Sequence, residues 1–156
     1  MLDWLGDTAL ARYVSDHAGA QQALETVHMT AFSLVIGAVV VLDLRLAGLS
    51  RRVPVSLLAR PVFRVAWLGL AVLFVGGVIT ALPRAEAILT RHSFQLKMAL
   101  LLLAVLNLLY LQRGVRRHAG AWDLNAIPGS VRVLALVSIL LWLSVVVVAR
   151  FMYVVK

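Results

Sequence analysis

Four long runs of apolar residues dominate the chain, at positions 26–49, 65–82, 94–111 and 131–149. The first carries no charge between Met29 and Leu42, and the third carries one, Lys97, near its start. Each run is close to the roughly 20 residues a helix needs to cross ~30 Å of hydrocarbon. No apolar–polar alternation of period two appears, and only helices or closed barrels satisfy their backbone inside lipid. The pattern predicts an all-α fold, an integral membrane four-helix bundle. Short connections make sequence neighbours antiparallel, giving up-down-up-down order. Pro54 and Pro61 fall in the first connection, Pro83 ends the second run, and Pro128-Gly129 precedes the fourth. No internal repeat divides the chain, so residues 1–156 read as a single four-helix transmembrane domain. Ahead of the first run, Leu2, Leu5, Ala9, Leu10, Tyr13 and Val14 share one helical face, away from Asp3, Asp7 and Arg12. That pattern predicts a short N-terminal interfacial helix.

Composition supports lipid as the solvent. Of 156 residues, 62% are hydrophobic and 14% charged, against just under half apolar in ordinary soluble domains. The net charge of +8 does not indicate nucleic acid, because the arginines sit in short blocks between the apolar runs. Nine of the fifteen basic residues lie in two loops on one side of the predicted bundle. These are Arg45, Arg51, Arg52, Arg60 and Arg64, then Arg113, Arg116, Arg117 and Arg132. The excess of positive charge in cytoplasmic loops places that side inside and both termini outside. Residues 1–27 hold Asp3, Asp7, Asp16 and Glu25 against Arg12 alone, which is not the basic start of a signal peptide. The absence of cysteine excludes disulfides, Cys-ligated zinc, iron–sulfur clusters and covalently attached c-type haem.

Candidate chemistry collects at the outward end. His28 opens the first run and His92 precedes the third. Two imidazoles on facing helices suit the axial positions of haem b. Copper would suit the same imidazoles with the thioethers of Met29 or Met98. The plainer alternative is two histidines at the water interface. Lys97 lies about one and a half turns into an apolar helix, where a charge points to a function and a partner. Its alternative is snorkelling to the headgroups. His92 and Lys97 are offset by roughly 140° around the helix, so only one faces a core ligand squarely. Arg84 and Arg91, on the same side, would pair with haem propionates.

Asp43 is about 22 Å along the axis from His28 and cannot share its site. Its expected use is a salt bridge with a loop arginine, and that of Arg45 is interface anchoring. Asn107 predicts an interhelical hydrogen bond. Gly37, Gly69, Gly76 and Gly77 predict close helix contacts. Trp67, Trp122, Trp142 and Tyr153 predict interface belt or packing, and His17 and His118 solvated positions. No nucleotide-binding glycine loop, HExxH or nucleophile elbow is present.

Three stretches carry a resemblance. They are ETVHMTAFSLVIGAVVVLDLRLAGL at 25–49, ARPVFRVAWLGLAVLFVGGVITAL at 59–82 and HSFQLKMALLLLAVLNLLYL at 92–111. Together they resemble an uncharacterised family of small bacterial four-helix membrane proteins. The most specific parts are the leading His, the DLRLAGL exit and the Phe-x-x-Lys that opens the third helix. That family distantly resembles HemJ-type protoporphyrinogen oxidases and CopD-like copper-resistance proteins. The resemblance implies haem b, with His28, Arg45 and Lys97 at corresponding positions. The fuller HemJ pattern at the helix exit and a His- or Met-rich copper motif are missing.

The expected function is a haem b-binding membrane protein in electron transfer or membrane oxidoreduction. His28 is the first axial ligand, His92 the opposite candidate, and Lys97 its substitute or a propionate partner. The alternatives are a copper-handling protein and a cofactor-free accessory subunit of a larger membrane complex. The expected location is a bacterial inner membrane, with lipid, a redox partner or a second copy as partners.

Overall fold

The computed structural model describes residues 8–49 and 52–154. Leu2 and Leu5 of the expected interfacial face, and Arg51 of the basic loop, lie outside the described residues. So do the side chains of Arg84 and Tyr153. The described chain is helical, in the order α1 (Ala9–Asp16), α2 (Ala18–Ala47), α3 (Val55–Ala81), a 3-10 turn (Leu82–Arg84), α4 (Ala85–Leu89), α5 (His92–Leu124) and α6 (Gly129–Val154). Helices α2, α3, α5 and most of α6 are long and apolar enough to cross a membrane. α2 packs on α3 and α6, and α5 packs on α6 and α3. Thus α2 and α5 stand at opposite corners of a four-helix bundle.

The helices outrun the apolar segments that announce them. At 1.5 Å per residue, the 33 residues of α5 span about 50 Å, well beyond ~30 Å of hydrocarbon. Its last turns, from Arg113 onward, form a polar extension that hydropathy does not reveal. Pro61, expected in a connection, lies inside α3. It falls in the second turn, where it removes the donor that would have bonded the Leu57 carbonyl, and the helix continues through it.

Local chemistry fixes the ends. α2 stops at Gly48, whose φ of 99° is left-handed. Gly48 N–H donates to the Arg45 carbonyl at 3.1 Å and Leu49 N–H to the Leu44 carbonyl at 3.0 Å. These are the paired bonds of a Schellman cap, which favours glycine at that φ. α3 begins after Pro54 without a side-chain cap of its own. The carboxylate of Asp123, at the far end of α5, accepts from Val55 N–H and Ser56 N–H instead. An anion at a helix N-terminus meets the positive end of the dipole, so this contact caps α3 and ties α5 to it.

The core runs between the helices as Val35, Val39, Leu42 and Leu46 of α2 with Ala59, Phe63 and Ala66 of α3, Ala104 and Leu108 of α5, and Ala135 and Trp142 of α6. Two polar contacts cross it. Trp67 Nε1 donates to Gln112 Oε1 at 3.1 Å. Asn107 Nδ2 donates to the Leu134 carbonyl at 3.2 Å, the expected interhelical bond. Among the glycines, Gly69, Gly76 and Gly77 meet α2 closely, whereas Gly37 has open space where a Cβ would go.

The short helix α1 is present, but its buried face differs from the expected one. Ala11 and Val14 are buried, while Leu10 and Tyr13 are exposed. α1 packs on α2, α3 and the 3-10 turn, so Ala11 and Val14 seal the end of the bundle. Leu10 and Tyr13 are left for the lipid interface.

Candidate functional site

Two polar sites lie at opposite ends of the bundle. The first surrounds His28 in the early turns of α2. Its ring is half-buried, and Nδ1 is buried without a hydrogen-bond partner. The ring edge lies against two bare glycines of α3. A Cβ on Gly76 would come within 3.3 Å of Nδ1, and one on Gly77 within 3.6 Å of Cε1. Thr80 Oγ1 donates to the carbonyls of Gly76 and Gly77 at 2.8 and 3.1 Å. The α3 backbone beside the ring is therefore occupied and polar-satisfied. The Nδ1–Cε1 edge of the ring is thus packed against α3.

Lys97, on the diagonal helix α5, is half-buried and close enough for its charge to act on His28. Its ammonium also sits 5.4 Å from the centre of the Phe94 ring, one turn earlier. Such a cation–π contact stabilises a charge in a poorly solvated place. The Phe-x-x-Lys signature is thus a structural pair, and it presents the lysine towards the His28 end.

The remaining candidates are placed differently. His92 is the first residue of α5 and is exposed, and Arg91, its N-cap, is exposed as well. Arg84 closes the 3-10 turn. Met29 and Met98 are 54% and 41% exposed and lie outside the buried core. Among the described residues no group of three or more His, Asp or Glu side chains is arranged to hold a metal ion. The structure brings His28 and Lys97 into range of each other, with His92 and the two arginines at the rim of the same end.

The second site lies around Asp43. Among the described residues the expected salt bridge with a loop arginine is not formed: Asp43 is 1% exposed and its Oδ2 has no hydrogen-bond partner. Its neighbour across the seam is Ser138 of α6. No hydrogen bond of acceptable geometry joins the two, since Ser138 Oγ is also buried and unpartnered. Arg45 does not anchor at the interface either. It is 5% exposed, and its Nε donates to the Val53 carbonyl beyond the helix end. A guanidinium turned onto its own chain reversal stabilises the α2–α3 connection rather than a headgroup contact. Ser138 has no sequence signal beyond a lone hydroxyl one turn before Trp142.

These helices define a multi-pass helical membrane protein. The chain belongs to a family of unknown function (DUF6644), whose model matches residues 1–154. No curated protein and no solved structure matches it.

Proposed function

We propose that this protein binds haem b at the His28 end of the bundle and serves in electron transfer or as a membrane oxidoreductase. The observation that carries the reading is the half-buried imidazole of His28. Its packed Nδ1–Cε1 edge rests on the Gly76–Gly77 pair, and a membrane-embedded lysine lies within range. If haem is bound, the His28 imidazole would hold it, and Lys97 would be a second nitrogen donor or pair with a propionate. Arg84, Arg91 and His92 stand at the rim, where charged propionates meet water. Bound haem would supply a one-electron couple whose potential depends on axial ligation and burial.

An absorption spectrum of the protein purified from membranes tests this reading, with extraction of the pigment and elemental analysis for copper. A Soret band and non-covalently extractable haem are expected. Copper without haem would favour metal handling, and neither would favour a cofactor-free subunit; both outcomes reject haem.

In the same reading the His28 end faces outside and the Asp43 end the cytoplasm, by the distribution of arginines. The natural chain has no cysteine, so single cysteines report cleanly. Cysteine at Gly120, exposed on the polar extension of α5, is expected to be protected from an impermeant thiol reagent in intact cells. Cysteine at Ala18 is expected to react. The reverse pattern would invert the orientation.

A further inference from the structure

The end of the bundle that holds Asp43 carries a cluster of arginines the haem reading does not use. Arg60 and Arg64 of α3 and Arg113, Arg116 and Arg117 of α5 are all exposed. Two contacts fix how these helices face each other: Trp67 meets Gln112, and Ser56 meets Asp123. One number rises as the other falls, so the helices are antiparallel, with Arg64 level with Val115 and Arg60 level with Ala119. At 100° per residue, Arg60 and Arg64 are turned about 20° and 60° from Trp67. Arg116, Arg113 and Arg117 are turned about 40°, 100° and 140° from Gln112. All five offsets have the same sense, and in an antiparallel pair offsets of like sense fall on one side of the seam. The opposite side holds the core, with Ala66 of α3 and Ala104 and Val115 of α5. The five arginines therefore line one outward groove between α3 and α5.

This end of the protein offers them no counter-charge. Asp43 and Asp123 are its acidic side chains among the described residues. Asp43 is 1% exposed, and the carboxylate of Asp123 caps α3, farther from the apolar runs than the arginines. Among the described residues none of the five arginines has an ion-pair partner. Like charges three and four apart on a helix repel, as Arg113, Arg116 and Arg117 do, and Arg60 and Arg64. An anion in the groove would relieve both sets at once.

Depth says which anion. Arg64 and Arg113 stand about 2–3 Å beyond the apolar runs, and Arg60, Arg116 and Arg117 about 8–9 Å, at 1.5 Å per residue. The headgroup layer is roughly 5–8 Å deep on each side of the hydrocarbon, and long arginine stems reach back into it. On the same side of the seam, deeper in the membrane, Leu68 and Val75 of α3 are 70% and 56% exposed, and Leu102 and Leu106 of α5 are 60% and 51% exposed. Charge at headgroup depth thus continues into an apolar surface at acyl-chain depth. Guanidinium groups suit phosphate because their forked donors bind two oxygens at once, and basic sites between membrane helices take anionic headgroups.

We propose that the α3–α5 groove is a binding site for an anionic phospholipid, with its phosphate among Arg60, Arg64, Arg113, Arg116 and Arg117 and its acyl chains along the Leu68 and Leu106 surface. The site is independent of any cofactor at the other end.

Native mass spectrometry of the full chain in detergent, with added phosphatidylglycerol or phosphatidylcholine of the same acyl chains, tests the proposal. Phosphatidylglycerol is expected to be retained in preference to phosphatidylcholine. Each arginine near a lipid surface is worth about fivefold in affinity, so Arg64→Gln/Arg116→Gln should weaken retention by at least tenfold. Arg52→Gln/Arg150→Gln removes the same charge from exposed positions outside the groove and should change it little. Arg64→Lys/Arg116→Lys keeps the charge but not the fork, and should fall between. Circular dichroism checks that helix content is unchanged. Should the Gln pair fail to insert, the Lys pair against the Arg52/Arg150 control decides the matter. Equal retention of the two lipids overturns the proposal, and so does an equal loss in the groove and control variants, which would mean diffuse charge alone. Displacement of the lipid by millimolar inorganic phosphate would make this a site for free anions. Binding of poly-glutamate without retained lipid would make it a site for an acidic protein. Either result also overturns it.

Discussion

Gly69→Ala is expected to destabilise the bundle by about 1–3 kcal/mol, the usual range for overpacking a filled core, and Gly69→Leu by more. The cause is local. A Cβ at Gly69 would collide with Val35 Cγ2 and stand 3.4 Å from the Ala31 carbonyl oxygen. Val35 is 0% exposed, and a helical valine has one strongly preferred χ1 rotamer, so its methyl cannot swing aside cheaply. The alternative is to part α2 from α3, which loses the dispersion contacts that hold membrane helices together. Gly37 provides the control on the same pair of helices. It is exposed, with nothing within 4 Å of where a Cβ would stand. Gly37→Ala should therefore be neutral or stabilise by about 0.5–1 kcal/mol, through helix propensity alone. Unfolding midpoints of the variants in mixed detergent measure both. Equal tolerance at positions 69 and 37 would show that the α2–α3 seam is looser than its geometry states.

The four spans are legible in the sequence because lipid imposes a length and a composition that few other constraints reproduce. Their ends are not. Hydropathy stops at Leu111, but α5 continues to Leu124, because its polar turns are held by Trp122 packing over Gly114 and by the Asp123 cap on α3. Neither contact has a local signature. Pro61 reads as a breaker, yet α3 continues through it. The outer site is legible in outline: His28 and Lys97 stand out as nitrogen donors in apolar helices. Which of the α5 donors turns inward is not, since it depends on the helix rotation set by packing against α3 and α6. Asp43 and Arg45 show in the sequence only as charges at the end of an apolar run. Their burial comes from the α6 face and from the Val53 turn, partners distant or irregular in sequence.

His28→Ala is expected to cause the largest spectroscopic change of any single substitution, provided haem is bound as proposed. Outer-shell changes at metal sites cost about 10–100-fold in affinity. Loss of an axial ligand should exceed that, with most of the Soret absorbance gone or the iron's spin state changed. The ranking of the other donors follows from where they stand. Lys97 is half-buried and within charge range of His28, whereas His92 is exposed at the first residue of α5. Lys97→Met, which keeps the apolar stem but removes the amine, should therefore disturb the spectrum more than His92→Ala. The glycine pair gives an independent check on the ring itself. Gly76→Ala places a methyl 3.3 Å from Nδ1, tighter than ordinary contact, and should shift the bands by displacing the ring. Gly77→Ala places one at 3.6 Å from Cε1, ordinary van der Waals contact, and should be tolerated. Absorption and magnetic circular dichroism spectra of membrane-inserted variants read all five. A normal low-spin spectrum in His28→Ala would place the iron elsewhere. A larger effect at His92 than at Lys97 would require α5 to be rotated, bringing its exposed first residue onto the diagonal.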